Sequence, residues 1–414
     1  MNPVIRLELK KFLNFQNIIM GLLLLTVVLV HMYAKASATS IILDNGEPYT
    51  GIKSWKIISE QGKRYNGYIT YDHLKEIKKI YENSSYKPYI EGEKRIPQSM
   101  RTYMLTFPTT SLATSLKQVL EDPNRVHESL EISQTEFDCY YDKRPKSAGE
   151  IAKGFPVFLK PIYLSKDPAA ALQAKAEKMK VPLYYEYNEG WEHLISNIHS
   201  YFFLFLIYII FLFSRSLSLN SDFGICEIEL YTKEGRKKLF FYKVRAAEIY
   251  TAVSYSIYVG VIFLFCYFIY GLDGANSAIE FNVSRAVFDI TVGEAAFASL
   301  LTGLFASLMI CNLVIFVSGI IKEWKTCTVL ISVLIYYIDI SYLKRDLLTK
   351  RLLYFTPQST IWGSFRTELA TVIGPFIIPL AVWSIILSIF YIVVMRLLSY
   401  FIMEKYSVKR RKFL

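Results

Sequence analysis

Cysteine is scarce, at 5 of 414 residues. Cys226, Cys266, Cys311 and Cys327 lie in or beside apolar runs, and only Cys139 falls in the polar stretch 35–193. One cysteine closes no internal bridge, which excludes a disulfide-stapled module there. Charge is sparse too: Asp, Glu, Lys and Arg make up 20% of the chain, below the roughly 25% of soluble domains. The 5 histidines, His31, His73, His127, His193 and His199, fall in or next to the same polar stretch. Their spacing matches no zinc signature, so they read as scattered surface residues rather than as a metal site. Catalytic motifs are missing as well. No G-x-x-x-x-G-K-S/T loop is present to cradle a nucleotide, nor an H-E-x-x-H or a G-x-S-x-G, which disfavours an ATPase or a membrane enzyme.

What the chain does have is apolar residues, at 53% with 15% aromatic and a mean hydropathy of +0.28. They are concentrated in six blocks: Ile18 to Tyr33, Leu194 to Phe213, Ile249 to Tyr270, Ala295 to Ile321, Thr326 to Leu343 and Ile373 to Met403. Each approaches the ~20 residues a helix needs to cross a ~30 Å hydrocarbon core. Buried helices of a soluble protein rarely sustain such runs, and six spans are expected.

The first run has two readings. Arg6, Lys10 and Lys11 ahead of it and Ala34-Lys35-Ala36 after it resemble a cleaved signal peptide. Ile5, Leu9, Phe12 and Leu13, however, share a helical face away from those basic residues. That pattern favours an interfacial helix over 1–16 leading into a retained span over 17–34.

The formal net charge is +11. Nucleic acid would be one partner for such an excess; cytoplasmic loops of a membrane protein are the other explanation. The stretch 35–193 carries 23 basic and 21 acidic residues, leaving 24 against 15 elsewhere. Arg6, Lys10 and Lys11, then Arg215, Lys233, Arg236, Lys237, Lys238, Lys243 and Arg245, then Lys322 and Lys325, and finally Lys405 to Lys412 fall on one side of a six-span chain. By the positive-inside rule that side is cytoplasmic, and nucleic acid drops out. The basic stretch 344–366 falls on the other side and is read as short outer helices within a loop at 344–372.

Residues 35–193 read as a folded extracellular α+β domain. Asp72 to Asn83 places Leu74, Ile77, Ile80 and Tyr81 on one face, and Asp167-Pro168 reads as a cap followed by a first-turn proline. Asn83-Ser84-Ser85 and Asn282-Val283-Ser284 are glycosylation sequons, informative only in a glycosylating host. Two ionisable residues fall inside apolar blocks. Arg396 is read as snorkelling to the surface, and Asp339 either sits at the interface or lines a polar pathway. The segment 214–248 mixes Ile228, Leu230, Leu239 and Phe240 with charges around Gly235. That mixture suits an amphipathic element docking on a protein partner or on lipid phosphates.

Four pieces carry a resemblance to a family. They are Asn66-Gly67-Tyr68-Ile69-Thr70; Tyr185 to Trp191 (YEYNEGW) before the second span; Gly224 followed by Gly235-Arg236 and Lys243; and Gly271 with Gly274 after the third span. Together the chain resembles the permease subunit of bacterial ABC-2 type transporters, in the group with a large extracellular domain between its first two spans. Asn220 stands where that group usually carries a glutamate.

The resemblance implies an α-helical integral membrane protein with six transmembrane helices in the bacterial cell membrane, both ends cytoplasmic: spans at 17–34 and 194–213, four more within 249–403, and a basic tail at 404–414. It implies docking of two copies of an ATP-binding subunit on the N-terminal helix and on the loop carrying Gly224, Gly235, Arg236 and Lys243. ATP and magnesium would be held by that subunit and no cofactor by this chain. A second permease copy or related chain would complete the pathway, and the cargo would be a peptide, an antimicrobial or a lipid-like molecule. The rival reading is a non-transporting sensor or immunity protein whose extracellular domain binds a peptide.

Overall fold

A computed structural model describes residues 2–42, 48–76, 167–222, 240–283, 286–321, 323–343, 370–373 and 375–411, with isolated positions over 134–148 and at 365 and 367. The architecture is helical with small two-stranded sheets, and among the described residues five helices are long and apolar enough to cross a bilayer.

Helix α1 (Pro3–Phe12) starts at Asn2, whose side chain accepts from the Val4 N–H at 2.9 Å. Asn14 caps α2 (Phe15–Ser37) through the Asn17 N–H at 2.8 Å. The Asn17 amide in turn donates to the Phe12 carbonyl at 3.0 Å. Asn2 caps the start of α1, while Asn14 and Asn17 satisfy backbone groups that the break between α1 and α2 leaves orphaned.

The segment after α2 folds back on its end. Strand β1 (Ser40–Ile42) pairs antiparallel with β2 (Pro48–Thr50), and α3 (Ile52–Gly62) follows, ending in a short 3-10 turn. Strand β3 (Gly67–Tyr68) pairs with β4 (Tyr184–Tyr185) far along the chain. Between them lies α4 (Pro168–Glu177), capped by Asp167 accepting from the Ala170 N–H at 3.0 Å.

Trp55 on α3 is the peg of this fold-back. It is 2% exposed and donates from Nε1 to the Ala36 carbonyl at 3.1 Å. Its ring meets Tyr270 and His193 edge-on, at centroid distances of 4.6 and 4.8 Å. Trp55→Ala is expected to cost about 3–5 kcal/mol through the cavity it leaves. Trp55→Phe, which keeps an aromatic ring but loses the donor and part of the indole volume, should cost less, about 1–3 kcal/mol. Thermal unfolding in detergent distinguishes the two.

The long helices are α5 (Glu189–Asp222), α6 (Phe240–Tyr270), α7 (Val292–Ile320), α8 (Trp324–Leu343) and α9 (Leu380–Arg411). Of the five long, apolar helices α2, α5, α6, α7 and α9, α5 and α7 are the most buried. Around them, α2, α6, α8 and α9 turn apolar side chains outward, among them Leu23, Val27, Val253, Ile257, Val333 and Leu397. Water tolerates so continuous an apolar surface poorly, whereas lipid tails do not penalise it.

Helix ends depart from the apolar blocks for local reasons. α5 starts at Glu189 rather than Leu194, with Glu189 and Glu192 in its first turn, where the helix dipole favours anions. α7 starts at Val292 because Thr291 and Glu294 form a reciprocal capping box, at 3.3 and 2.9 Å. α6 already runs at Phe240, so residues 240–248 continue a long helix rather than a loop. The sixth block divides. Thr371–Ile373 and Phe376–Ile378 form the hairpin β5–β6, and the helix starts only after Pro379, at Leu380. A Gly-Pro pair flanked by β-branched residues favours that turn over a helix.

Candidate functional site

The long helices alternate in direction. Phe213, near the end of α5, meets Tyr250, near the start of α6, and Phe211 meets Trp324 at the start of α8. The start of α2, the end of α5 and the starts of α6 and α8 therefore share one end of the bundle. Across that end lies α1. Phe12, 2% exposed, wedges between the Phe213 ring at 5.1 Å and the Tyr250 ring at 5.7 Å. Below it, the Tyr208 and Tyr250 hydroxyls share a hydrogen bond of 2.6 Å. One turn before Phe12, the buried Glu8 pairs with Lys11 at 2.7 Å.

Lys243 lies in the first turn of α6, half-buried at this same end. Gly224, Gly235 and Arg236 lie outside the described residues. Asp339 belongs to α8, and its side chain is likewise outside the description.

Near this end Arg396 meets two polar side chains that the sequence reading did not single out, Glu248 and Asn312. Glu248 on α6 pairs with Arg396 on α9. Asn312 on α7 donates to Glu248 at 3.0 Å and accepts from the Arg396 Nε at 3.4 Å. Arg396 therefore reaches a carboxylate rather than only the surface. An apolar environment makes that pairing the cheaper solution. The signal was the presence of one acid and one base on apolar helices; Glu248 was obscured because the periodicity placed it in a loop. Beside the trio is a pocket of about 400 Å³ lined by Phe240, Phe241, Arg245, Arg396 and Tyr400, among others.

The opposite end gathers three of the four pieces noted in the sequence. The Tyr187 N–H donates to the Asn66 side chain at 2.9 Å, and Trp191 Nε1 donates to the Leu272 carbonyl at 3.2 Å. Gly190 lies so close to the Gly271 carbonyl that no side chain fits between them. Gly274 is held at φ +81° directly against the Tyr187 carbonyl. Both a missing Cβ and a left-handed backbone are needed there. Burial, reinforced by Glu189, Glu192 and Tyr65, holds the Tyr185 phenol well above its ordinary pKa, so it stays neutral.

Two expectations about single residues change at this end. His193 is buried and stacks on Tyr270 at 4.1 Å, with Glu189 at 3.4 Å, so it is a packed core residue and not a surface one. His31 stays exposed, as expected, although its Nδ1 meets the Tyr201 hydroxyl at 2.9 Å. Trp55 on α3 and Tyr270 at the end of α6 close over His193, which the local sequence does not reveal. The Asn282 amide is engaged by Glu192 and Asn188, so it is not a free glycan acceptor.

Among the described residues no group of His, Cys, Asp or Glu has the geometry to hold a metal ion. Cys266, Cys311 and Cys327 are buried free thiols. Chemically, the first end presents Arg245 and Arg396 beside exposed apolar side chains such as Phe241, and the second is a packed lock between segments distant in sequence. Comparison with protein families, curated proteins and solved structures gave no match.

Proposed function

We propose that this chain is the permease subunit of an ATP-driven exporter of the ABC-2 type, with α8 as its sixth span. In this reading residues 35–193 are extracellular, and α1, the 223–239 connection and both ends face the cytoplasm of a bacterial cell. Gly224, Gly235, Arg236 and Lys243 contact a separate ATP-binding subunit present in two copies, which holds ATP and magnesium. A second permease copy or related chain completes the pathway, Asp339 lines it, and the cargo is a peptide, an antimicrobial or a lipid-like molecule.

One observation carries the proposal: α1 lies across the bundle end where α5 stops and α6 begins. A force applied to α1 and to the α5–α6 connection would reach two long helices at once through Phe12, Phe213 and Tyr250. Rigid side-chain contacts of this kind are what mechanical coupling requires.

Co-expression with an ATP-binding subunit, where one is encoded beside it, should yield a complex that survives purification. Substituting Gly235 and Arg236 should reduce ATP-dependent export by about tenfold, within the range of ordinary coupling energies, with ligand binding intact. Protein that never retains an ATPase subunit refutes the proposal.

A further inference from the structure

We infer that the pocket between the start of α6 and the end of α9 is a binding site for one anionic phospholipid. It measures about 400 Å³, within the range of sites that hold a small ligand. Arg245 and Arg396 are among the residues that line it, and its walls are otherwise mostly apolar, with Phe240, Phe241, Val244 and Tyr400. The charges do not cancel. Glu248 neutralises Arg396, whereas Arg245 rests over the Phe241 ring at 5.2 Å and has no carboxylate partner among the described residues. Among the described residues one positive charge therefore remains beside the pocket, which suits one phosphate diester.

The surface leading away from the mouth fits the rest of a lipid. Arg245, Ile249, Val253 and Ile257 recur every fourth residue on α6, and all four are exposed, forming a stripe along one helical face. On α9, Val393, Leu397 and Phe401 are exposed in the same way. A headgroup beside Arg245 would leave its acyl chains against these apolar side chains. A free phosphate uses only the guanidinium groups and leaves the stripes unoccupied. A basic residue at a membrane surface contributes on the order of 1 kcal/mol toward an anionic lipid, or about fivefold. The inference rests on α6 and α9 spanning the bilayer, not on ATP coupling, so it survives if no ATPase partner exists.

The full chain is incorporated into nanodiscs of equimolar phosphatidylglycerol and phosphatidylcholine, and the lipids that stay bound after release are counted by native mass spectrometry. About fivefold enrichment of phosphatidylglycerol is expected, falling to near parity in Arg245→Gln. Lys325→Gln removes a charge from the start of α8, outside the pocket, and should leave the enrichment unchanged. Three results overturn the inference: parity of the two lipids on the unmodified chain, equal losses in both variants, or displacement of the lipid by soluble glycerol phosphate. The unmodified chain decides the first and third of these even if a variant folds poorly.

Discussion

Gly190→Ala is expected to remove most folded protein, the largest effect foreseen for a single methyl group in this chain. The new Cβ would overlap the Gly271 carbonyl oxygen and press on its carbon. That obstacle is backbone, and it cannot rotate away as a side chain would. Ordinary overpacking costs about 1–3 kcal/mol. Here α5 must also separate from the α6 end, where Trp191 bonds the Leu272 carbonyl, so a loss above about 3 kcal/mol is expected. Gly260→Ala is the control. Nothing lies within 4 Å of a Cβ at Gly260, and a helical alanine there should stabilise slightly, by up to about 1 kcal/mol. Monodisperse yield and thermal midpoint in detergent measure both. Equal behaviour of the two variants would show that α5 and α6 do not meet at Gly190 and Gly271.

Glu248→Ala should rank next. It leaves Arg396 and the Asn312 amide without the carboxylate that both engage. Removing one partner of a buried pair costs about 3–5 kcal/mol. The Arg396 side chain keeps 40% exposure against 13% for Glu248, so water recovers part of that and about 2–3 kcal/mol is expected. Replacing both residues with leucine should restore most of the loss, because an apolar pair leaves no orphaned charge. Thermal midpoints of the single and double variants provide the comparison. A double variant no more stable than the single one would mean that the trio does not join α6, α7 and α9.

The apolar blocks were legible because each needs only its own residues. A run of Ile, Leu and Phe long enough to cross a bilayer is helical and shielded from water wherever it sits. The caps of α1, α4 and α7 are also local, each set by an Asn, Asp or Thr within a few residues of the backbone it satisfies. The continuation of α6 back to Phe240 was less legible. Its first turns mix Lys243, Arg245 and Glu248 with apolar residues, as a surface loop also would. The role of Thr371 to Ile378 was hidden for the opposite reason, since eight apolar or weakly polar residues beside a helix look like part of it until the Gly-Pro turn is weighed.

The sequence by itself determined a multi-helix chain of apolar runs, a nearly neutral stretch at 35–193, and a charge excess lying mainly outside that stretch. These follow from hydropathy and local hydrogen bonding, whose reach is a few residues. Only the tertiary structure decided that Arg396 finds Glu248, that His193 stacks on Tyr270 with Trp55 edge-on to it, and that Gly190, Gly271 and Gly274 allow Tyr187 and Trp191 to close over the end of α6. Those partners are tens to hundreds of residues apart. Packing selects them, because an apolar interior requires each polar group to meet another and each close approach to be free of a Cβ.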